Sequence, residues 1–362
     1  QYGNLTRVLE AAWNGAQWAD YRLTRTLYYP NNQPSGVYLV GLPAITKTYA
    51  CGVGWENGEC SDLYPSYPPE SWVTGAQWYL YDNHHPAFST PPTQGVPTGA
   101  RSLLSCDASC SNGSQFFTDQ VFAYDDWGNR ISTTAYTGEG TYSAMATSGA
   151  RTSSVAYDTT YYTYPVSQTN ASQVTQIGYG EDLCAGAHNG YVLGVPTSVT
   201  DPNGVTTYAC YDDFGRITAI IRYGDDVNNP TMLFSYHEAT PNPGFSNNPF
   251  WTEARQRIAG SVYFTLRKYY DGLGRAIQTQ VVGAVLSDPN NPRDLLTDTF
   301  YDAYGQVIKQ TISYDVATGS NYHVRSTSQY ATQTSYDIMG RPLQVLNTAG
   351  DPAGSYVYGV IQ

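Results

Sequence analysis

A chain of 362 residues with a formal net charge of −12 and only 18 lysines and arginines has no basic stripe to neutralise phosphates, which excludes nucleic acid as a partner. Its longest apolar runs, such as YLVGL at 38–42, fall far short of the roughly 20 residues a membrane-spanning helix needs. With 34 glycines, 21 prolines and 34 tyrosines, and no sustained apolar spacing at three and four, the composition describes turn-rich β structure.

At the start of the chain, QYGNLTRV matches AYGQVIKQ at 303–310, with Gly3 in the place of Gly305. The match implies a Tyr-Asp pair just before Gln1, so the chain reads as a segment of a longer polypeptide. YLVGLPAIT at 38–46 resembles YVLGVPTSVT at 191–200, and WNGAQW at 13–18 resembles WVTGAQW at 72–78. Longer units therefore repeat as well. Proline- and asparagine-rich excursions interrupt them at 90–99, 239–251 and 287–294. The expected organisation is a stretch of degenerate repeats with long insertions and loop disulfides over 1–120. It runs on into a repeat-built β scaffold over 121–362.

Six cysteines fall as near neighbours in Gly/Ser/Asn-rich sequence: Cys51 and Cys60, Cys106 and Cys110, Cys184 and Cys210. An even, clustered set suits an oxidising compartment, and sequential loop staples are the simplest of the many possible pairings. A zinc site would want a pair of Cys-x-x-Cys motifs, which the spacing lacks. Asn4, Asn112 and Asn170 begin glycosylation sequons, informative only in a source that glycosylates.

From residue 124 onward one phrase dominates. Tyr-Asp-x-x-Gly occurs at Tyr124-Asp125…Gly128, Tyr211-Asp212…Gly215, Tyr270-Asp271…Gly274, Tyr301-Asp302…Gly305 and Tyr336-Asp337…Gly340. The residue after glycine is Asn129, Arg216, Arg275, Gln306 or Arg341, and an aliphatic residue such as Ile217, Val307 or Leu343 follows closely. Five copies with one internal spacing point to architecture and away from a single active site. The physical reading is a hairpin corner: Asp accepts backbone N–H groups just ahead of it, and Gly supplies a positive φ. A side chain forced into that glycine position would cost about 1–2 kcal/mol. The tyrosine and the arginine of one copy are expected to pack against each other across the two strands. VAYDTTYYTYPVSQTN at 155–170 reads as a degenerate copy without the glycine.

These motifs resemble those of the Rhs or YD-repeat family, the tyrosine-aspartate repeat proteins of bacterial polymorphic toxins, insecticidal toxin complexes and animal teneurins. The resemblance covers about 120–345 well, and GNLTRV at 3–8 extends it to the start, whereas 50–120 fit poorly. It implies an all-β fold of antiparallel hairpins stacked into a spiralling sheet, part of a shell or solenoid in which the repeats are wall material. In toxin members such a shell encloses a C-terminal effector, and in surface members it forms an adhesive ectodomain. The chain departs from the family in being short for a closed shell. It also lacks the complete terminating region in which an aspartate-dependent self-cleavage takes place. DPAG at 351–354 has part of that motif's shape, but DPNG at 201–204 has it too, so Asp351 is expected to mark a turn.

Candidate residues for chemistry are few. His84 and His85 beside Asp82 would point to opposite faces of a strand, which disfavours a metal site. Cys184 with His188 lacks a third orienting group, and a disulfide is the better reading. The remaining histidines are His237 and His323. No Gly-x-Ser-x-Gly marks a nucleophile. The pairs Asp125-Asp126, Asp212-Asp213 and Asp225-Asp226 read as solvated turns before weak calcium sites. The sequence therefore predicts a non-catalytic, cofactor-free scaffold, secreted or at the cell surface, forming shell wall, fibre or ectodomain. Its partners would be further repeats or subunits added at edge strands, an enclosed toxin domain, or surface glycans. The alternatives are a toxin-encapsulating shell whose effector lies beyond this segment, and a carbohydrate-binding adhesin using exposed Tyr and Trp.

Overall fold

The computed structural model describes residues 3–13, 18–29, 39, 41–51, 68–83, 92–184, 186, 188–239, 249–284, 290–319 and 322–358. Among the described residues the strands number 24 and pair antiparallel. Among the described residues helix is limited to single turns at Glu70–Trp72 and Gly190–Leu193. The chain divides into two compact units, Gln1–Gln176 and Ile177–Gln362.

The first unit is a meander of β1 (Arg7–Trp13), β2 (Trp18–Tyr28), β3 (Pro43–Ala50), β4 (Val73–Tyr81), β5 (Pro97–Ser105), β6 (Phe116–Tyr124) and β7 (Arg130–Tyr136), each paired with the next. The two-residue β8 (Gly140–Thr141) pairs with the start of β6. Then β9 (Ala150–Tyr157) returns to β7, and β10 (Pro165–Asn170) and β11 (Gln173–Gly178) follow in order. Strand β6 runs unbroken through residue 120. Apolar burial is gathered in two small clusters, Leu23, Tyr49, Cys51, Val73 and Cys110 in one, and Ile45, Trp78 and Phe117 in the other.

The second unit continues with β12 (Ser198–Thr200), β13 (Thr206–Tyr211), β14 (Ile217–Ile221), β15 (Met232–His237), β16 (Trp251–Ala259), β17 (Val262–Tyr270), β18 (Ala276–Ala284) and β19 (Arg293–Tyr301). These pair strictly in sequence. Strand β19 then forks. Its last residues pair with β20 (Val307–Thr311), while Arg293–Leu296 pair with β21 (Tyr314–Ala317). Beyond the fork, β22 (Ala331–Tyr336), β23 (Pro342–Leu346) and β24 (Pro352–Ser355) extend the β20 branch. Burial on β19 alternates residue by residue, with Asp294, Leu296 and Asp298 on the covered face. That two of those three are carboxylates sets up the polar ties described next.

Candidate functional site

Each of the five Tyr-Asp-x-x-Gly copies builds the same corner. The Asp N–H donates to the carbonyl of the residue after glycine, and the glycine N–H donates back to the Asp carbonyl. One carboxylate oxygen accepts N–H groups from the residue before glycine and the residue after it, at 2.8–3.0 Å in all five. The glycines hold φ of +73° to +86°, a region in which a Cβ would be strained. The second carboxylate oxygen accepts the arginine Nε at 2.7 Å in Asp212–Arg216, Asp271–Arg275 and Asp337–Arg341, and the Asn129 amide in the first corner. Burial pushes the Asp212 and Asp271 carboxyls up, but the N–H donors and the guanidinium outweigh it and hold both below the ordinary range. For Asp337 the Arg341 backbone N–H is the leading cause of the same lowering.

The arginines do not pack on the tyrosine of their own copy. Arg275 lies 4.7 Å from the ring centroid of Tyr301, Arg216 4.4 Å from Tyr236, and Arg341 4.2 Å from Tyr358. Within a copy, the register shift beside the tyrosine pairs it with the second residue after glycine, as in Tyr270 with Ala276. The guanidinium, tethered to its aspartate, is thereby aimed at the following hairpin.

The same tyrosines carry a second regularity. The hydroxyls of Tyr236, Tyr301, Tyr336 and Tyr358 donate to the carbonyls of Ile217, Ala276, Val307 and Pro342 at 2.8–3.1 Å. Each acceptor is the second residue after a corner glycine. Tyr211 does the same to Pro196, two residues after Gly194, and Tyr28 to Leu5, two after Gly3. Each tyrosine thus latches its hairpin to an earlier corner, so ring, hydroxyl and guanidinium fix the spacing between repeats. Tyr270 instead lies 3.4 Å from the Thr252 hydroxyl. Neighbouring corners also meet directly: Arg275 Nη1 donates to the Asp302 carbonyl, and a Cβ on Gly340 would meet the Gln306 side chain.

Further corners use the same chemistry without the tyrosine. Asp201 and Gly204 reproduce the whole pattern, as do Asn347 and Gly350. Asp351 is therefore not the first residue of a turn. It closes the Asn347 corner, and Pro352–Ser355 is strand, because the Asn347 amide oxygen and the positive φ of Gly350 set the bend one register earlier. Asp158, without a glycine, spans a longer loop. It accepts the N–H groups of Thr160, Tyr161, Thr163 and Tyr164, and Tyr162 takes the positive φ of +53°. Burial pushes its carboxyl up, yet these four donors bring it down to about 2.

Buried polar pairs tie loops to the sheet. In the first unit Arg101 and Asp119, directly paired on β5 and β6, are both fully buried. Arg101 Nε donates to Asp119 Oδ1 at 2.6 Å and Nη2 to Oδ2 at 3.1 Å. Nη2 also donates to the carbonyls of Thr141 and Ala144, and Ala146 N–H donates to Asp119 Oδ2. In the second unit Gln278 donates to Asp298 and Gln280 to Asp294. These four hold Gly319 and the crossover at 322–326: Gln278 donates to the His323 carbonyl and accepts its N–H, Asp294 accepts Gly319 N–H, and Asp298 accepts Ser326 N–H. The Tyr314 hydroxyl donates to Asp298, and burial together with that carboxylate pushes its titration upward. Composition gave no signal for these pairs, since their partners are fixed by strand register.

Disulfides join Cys106 to Cys110 and Cys184 to Cys210, and Cys51 is disulfide-bonded too. Cys60, His84 and His85 lie outside the described residues. With Cys184 so engaged, His188 contacts carboxylates instead, with Nε2 3.0 Å from Asp213 and Nδ1 3.6 Å from Asp182. His237 stacks on Trp251. Asn112 and Asn170 are exposed and Asn4 is half-buried. Each motif carboxylate is spent on its own corner, and among the described residues no three His, Cys, Asp or Glu side chains group in a way that could hold a metal ion. No helix among them is long and apolar enough to cross a membrane.

The class this geometry defines is a repeat-built antiparallel β wall whose recurrent residues are corners and latches. Comparison with known proteins agrees at the level of fold. A crystal structure of TcdB2-TccC3-Cdc42 is similar over 91% of this chain, with a TM-score of 0.63 and 14% identity, and a structure of TcdB2-TccC3 without its hypervariable C-terminal region gives 0.62 at 14% over the same share. A Photorhabdus luminescens Tc holotoxin pore with a point mutation in TccC3 gives 0.56 at 15%. The chain spans about a fifth of those chains, 21–22% of their length. A family described as a domain of unknown function (DUF6443) matches residues 253–341, which contain three of the five motif copies. No curated protein sequence matches.

Proposed function

We propose that this chain is a non-catalytic segment of a secreted, YD-repeat shell wall of the toxin-complex kind. The observation that carries the reading is the corner-and-latch unit. Its aspartates and glycines are consumed in their own corners and its tyrosines and arginines in joining one hairpin to another, which leaves, among the described residues, a wall whose motif side chains are already engaged. The likeness to TccC3-containing toxin chains supports a role as a container or scaffold. The disulfides at Cys106–Cys110 and Cys184–Cys210 support export to an oxidising compartment. Electron microscopy of the full native polypeptide that contains this segment tests the reading. A hollow particle with density inside supports it, and a solid globule or an open rod refutes it.

One feature favours a glycan-binding surface as a second reading. Trp127, 65% exposed, stacks on Tyr162 with centroids 4.4 Å apart, presenting a flat aromatic face at a hairpin tip. Glycan-array binding abolished by Trp127→Ala would favour it over a plain wall.

A further inference from the structure

On the β20 branch, one sheet face carries a cleft of about 350 Å³ that the crossover leaves open. A cross-strand row forms its floor: Phe300 opposite Lys309, Lys309 opposite Gln333, and Gln333 opposite Leu346, with Ser335 opposite Gln344 alongside. Phe300 is two residues beyond Asp298, so the cleft lies on the face of β19 that the crossover at 322–326 covers.

What covers the neighbouring part of that face indicates what fits here. Gln278 reads a chain segment laid across the sheet by donating to the carbonyl of His323 and accepting its N–H, and Gln280 points its amide at Gly319. Farther across the same sheet face, exposed Gln333 and half-buried Gln344 present the same carboxamides, and among the described residues neither side chain has a hydrogen-bond partner. Lys309, one of only three lysines in a chain of net charge −12, donates to the Thr327 carbonyl at 2.6 Å and pairs with no carboxylate among the described residues. Arg325, 4.7 Å from the Phe300 ring centroid, donates to the Thr299 carbonyl and likewise has no carboxylate among them. Carboxamides matched to a peptide backbone, beside uncompensated positive charge, select an extended and acidic chain.

We propose that this cleft binds an extended peptide segment bearing an acidic side chain, with Gln333 and Gln344 reading its backbone and Lys309 pairing with its carboxylate. The inference does not rest on the shell-wall reading. The negative charge of the chain as a whole repels acidic peptides, so binding of one reports a local site.

Fluorescence anisotropy with the full chain at low salt tests this, using a fluorescein-labelled dodecapeptide of alternating Glu and Thr and matched Gln/Thr and Lys/Thr peptides. The Glu/Thr peptide is expected to bind at least about tenfold more tightly than the Gln/Thr peptide, and the Lys/Thr peptide more weakly than either. Lys309→Gln should weaken the Glu/Thr complex about tenfold, and Lys309→Arg should retain it. Gln344→Leu, which leaves the Lys309 tie to Thr327 in place, should weaken it severalfold. Equal binding of the three peptides, no binding of any, or affinity unchanged in both Lys309→Gln and Gln344→Leu would overturn the proposal. So would competition by free glutarate at the peptide's own effective concentration, which would make the ligand a small carboxylate.

Discussion

Replacing Asp119 with Asn keeps the size of the side chain and removes only its charge. Arg101, fully buried, would then face a neutral amide, with the carbonyls of Thr141 and Ala144 as its remaining strong acceptors. Uncoupling a buried ion pair from one side costs about 3–5 kcal/mol, and because two carbonyls still serve the guanidinium the lower end, about 3 kcal/mol, is expected. Asp119→Ala also strips the acceptor from the Ala146 N–H, adding about 1–3 kcal/mol. Against a typical total stability of about 5–15 kcal/mol, either loss is large. Urea denaturation of the wild type and both variants measures the cost, and hydrogen exchange locates it. Amides of 140–146 should lose protection before those of the second unit. A cost below about 1 kcal/mol for Asp119→Asn, or exchange that rises evenly through the chain, would refute the claim that this pair pins the 140–146 loop.

Four further outcomes follow from the corners and staples. Tyr301→Phe, which deletes the hydrogen bond to the Ala276 carbonyl, should cost about 1 kcal/mol, and Tyr301→Leu about 0.5–1 kcal/mol more as Arg275 loses its ring, both read by urea titration. Gly274→Ala has open space around it but φ +76°, so it should cost about 1–2 kcal/mol in the same assay, whereas Gly75→Ala, also in open space and without a positive φ, should cost nothing. The Asp158 carboxyl sits at about 2 in the folded chain against an ordinary 3.8, so its stabilisation is complete above about pH 4 and is lost as the pH falls through about 2. Asp158→Asn should flatten that part of an acid-unfolding curve. Removing Cys184–Cys210, 26 residues apart, should cost about 3.5 kcal/mol and Cys106–Cys110, 4 apart, about 2 kcal/mol, measured on paired Cys→Ser variants.

The amino-acid sequence by itself determined the class of fold, because a corner is a local object. An aspartate, a glycine three residues on and the backbone between them contain every hydrogen bond of the Asp271–Arg275 turn, and strands that alternate on either side need only a neighbour to pair with. Which neighbour, and in what register, was not legible. The Tyr301 hydroxyl finds a carbonyl 25 residues back, Arg101 finds Asp119 across a strand pair, and Gln278 holds His323 45 residues ahead. Those choices depend on bulges and loop lengths that shift register by single residues, and one such shift turns a side chain from the covered face to the open one. The tyrosine of each repeat, and the arginine where one follows the glycine, were visible as a pattern, but only tertiary packing decided that the arginine serves the following hairpin and the tyrosine hydroxyl a preceding one. The open cleft beside Lys309 is of the same kind, since four strands and the segment carrying Thr327 must be in place before its two carboxamides and its ammonium share a face.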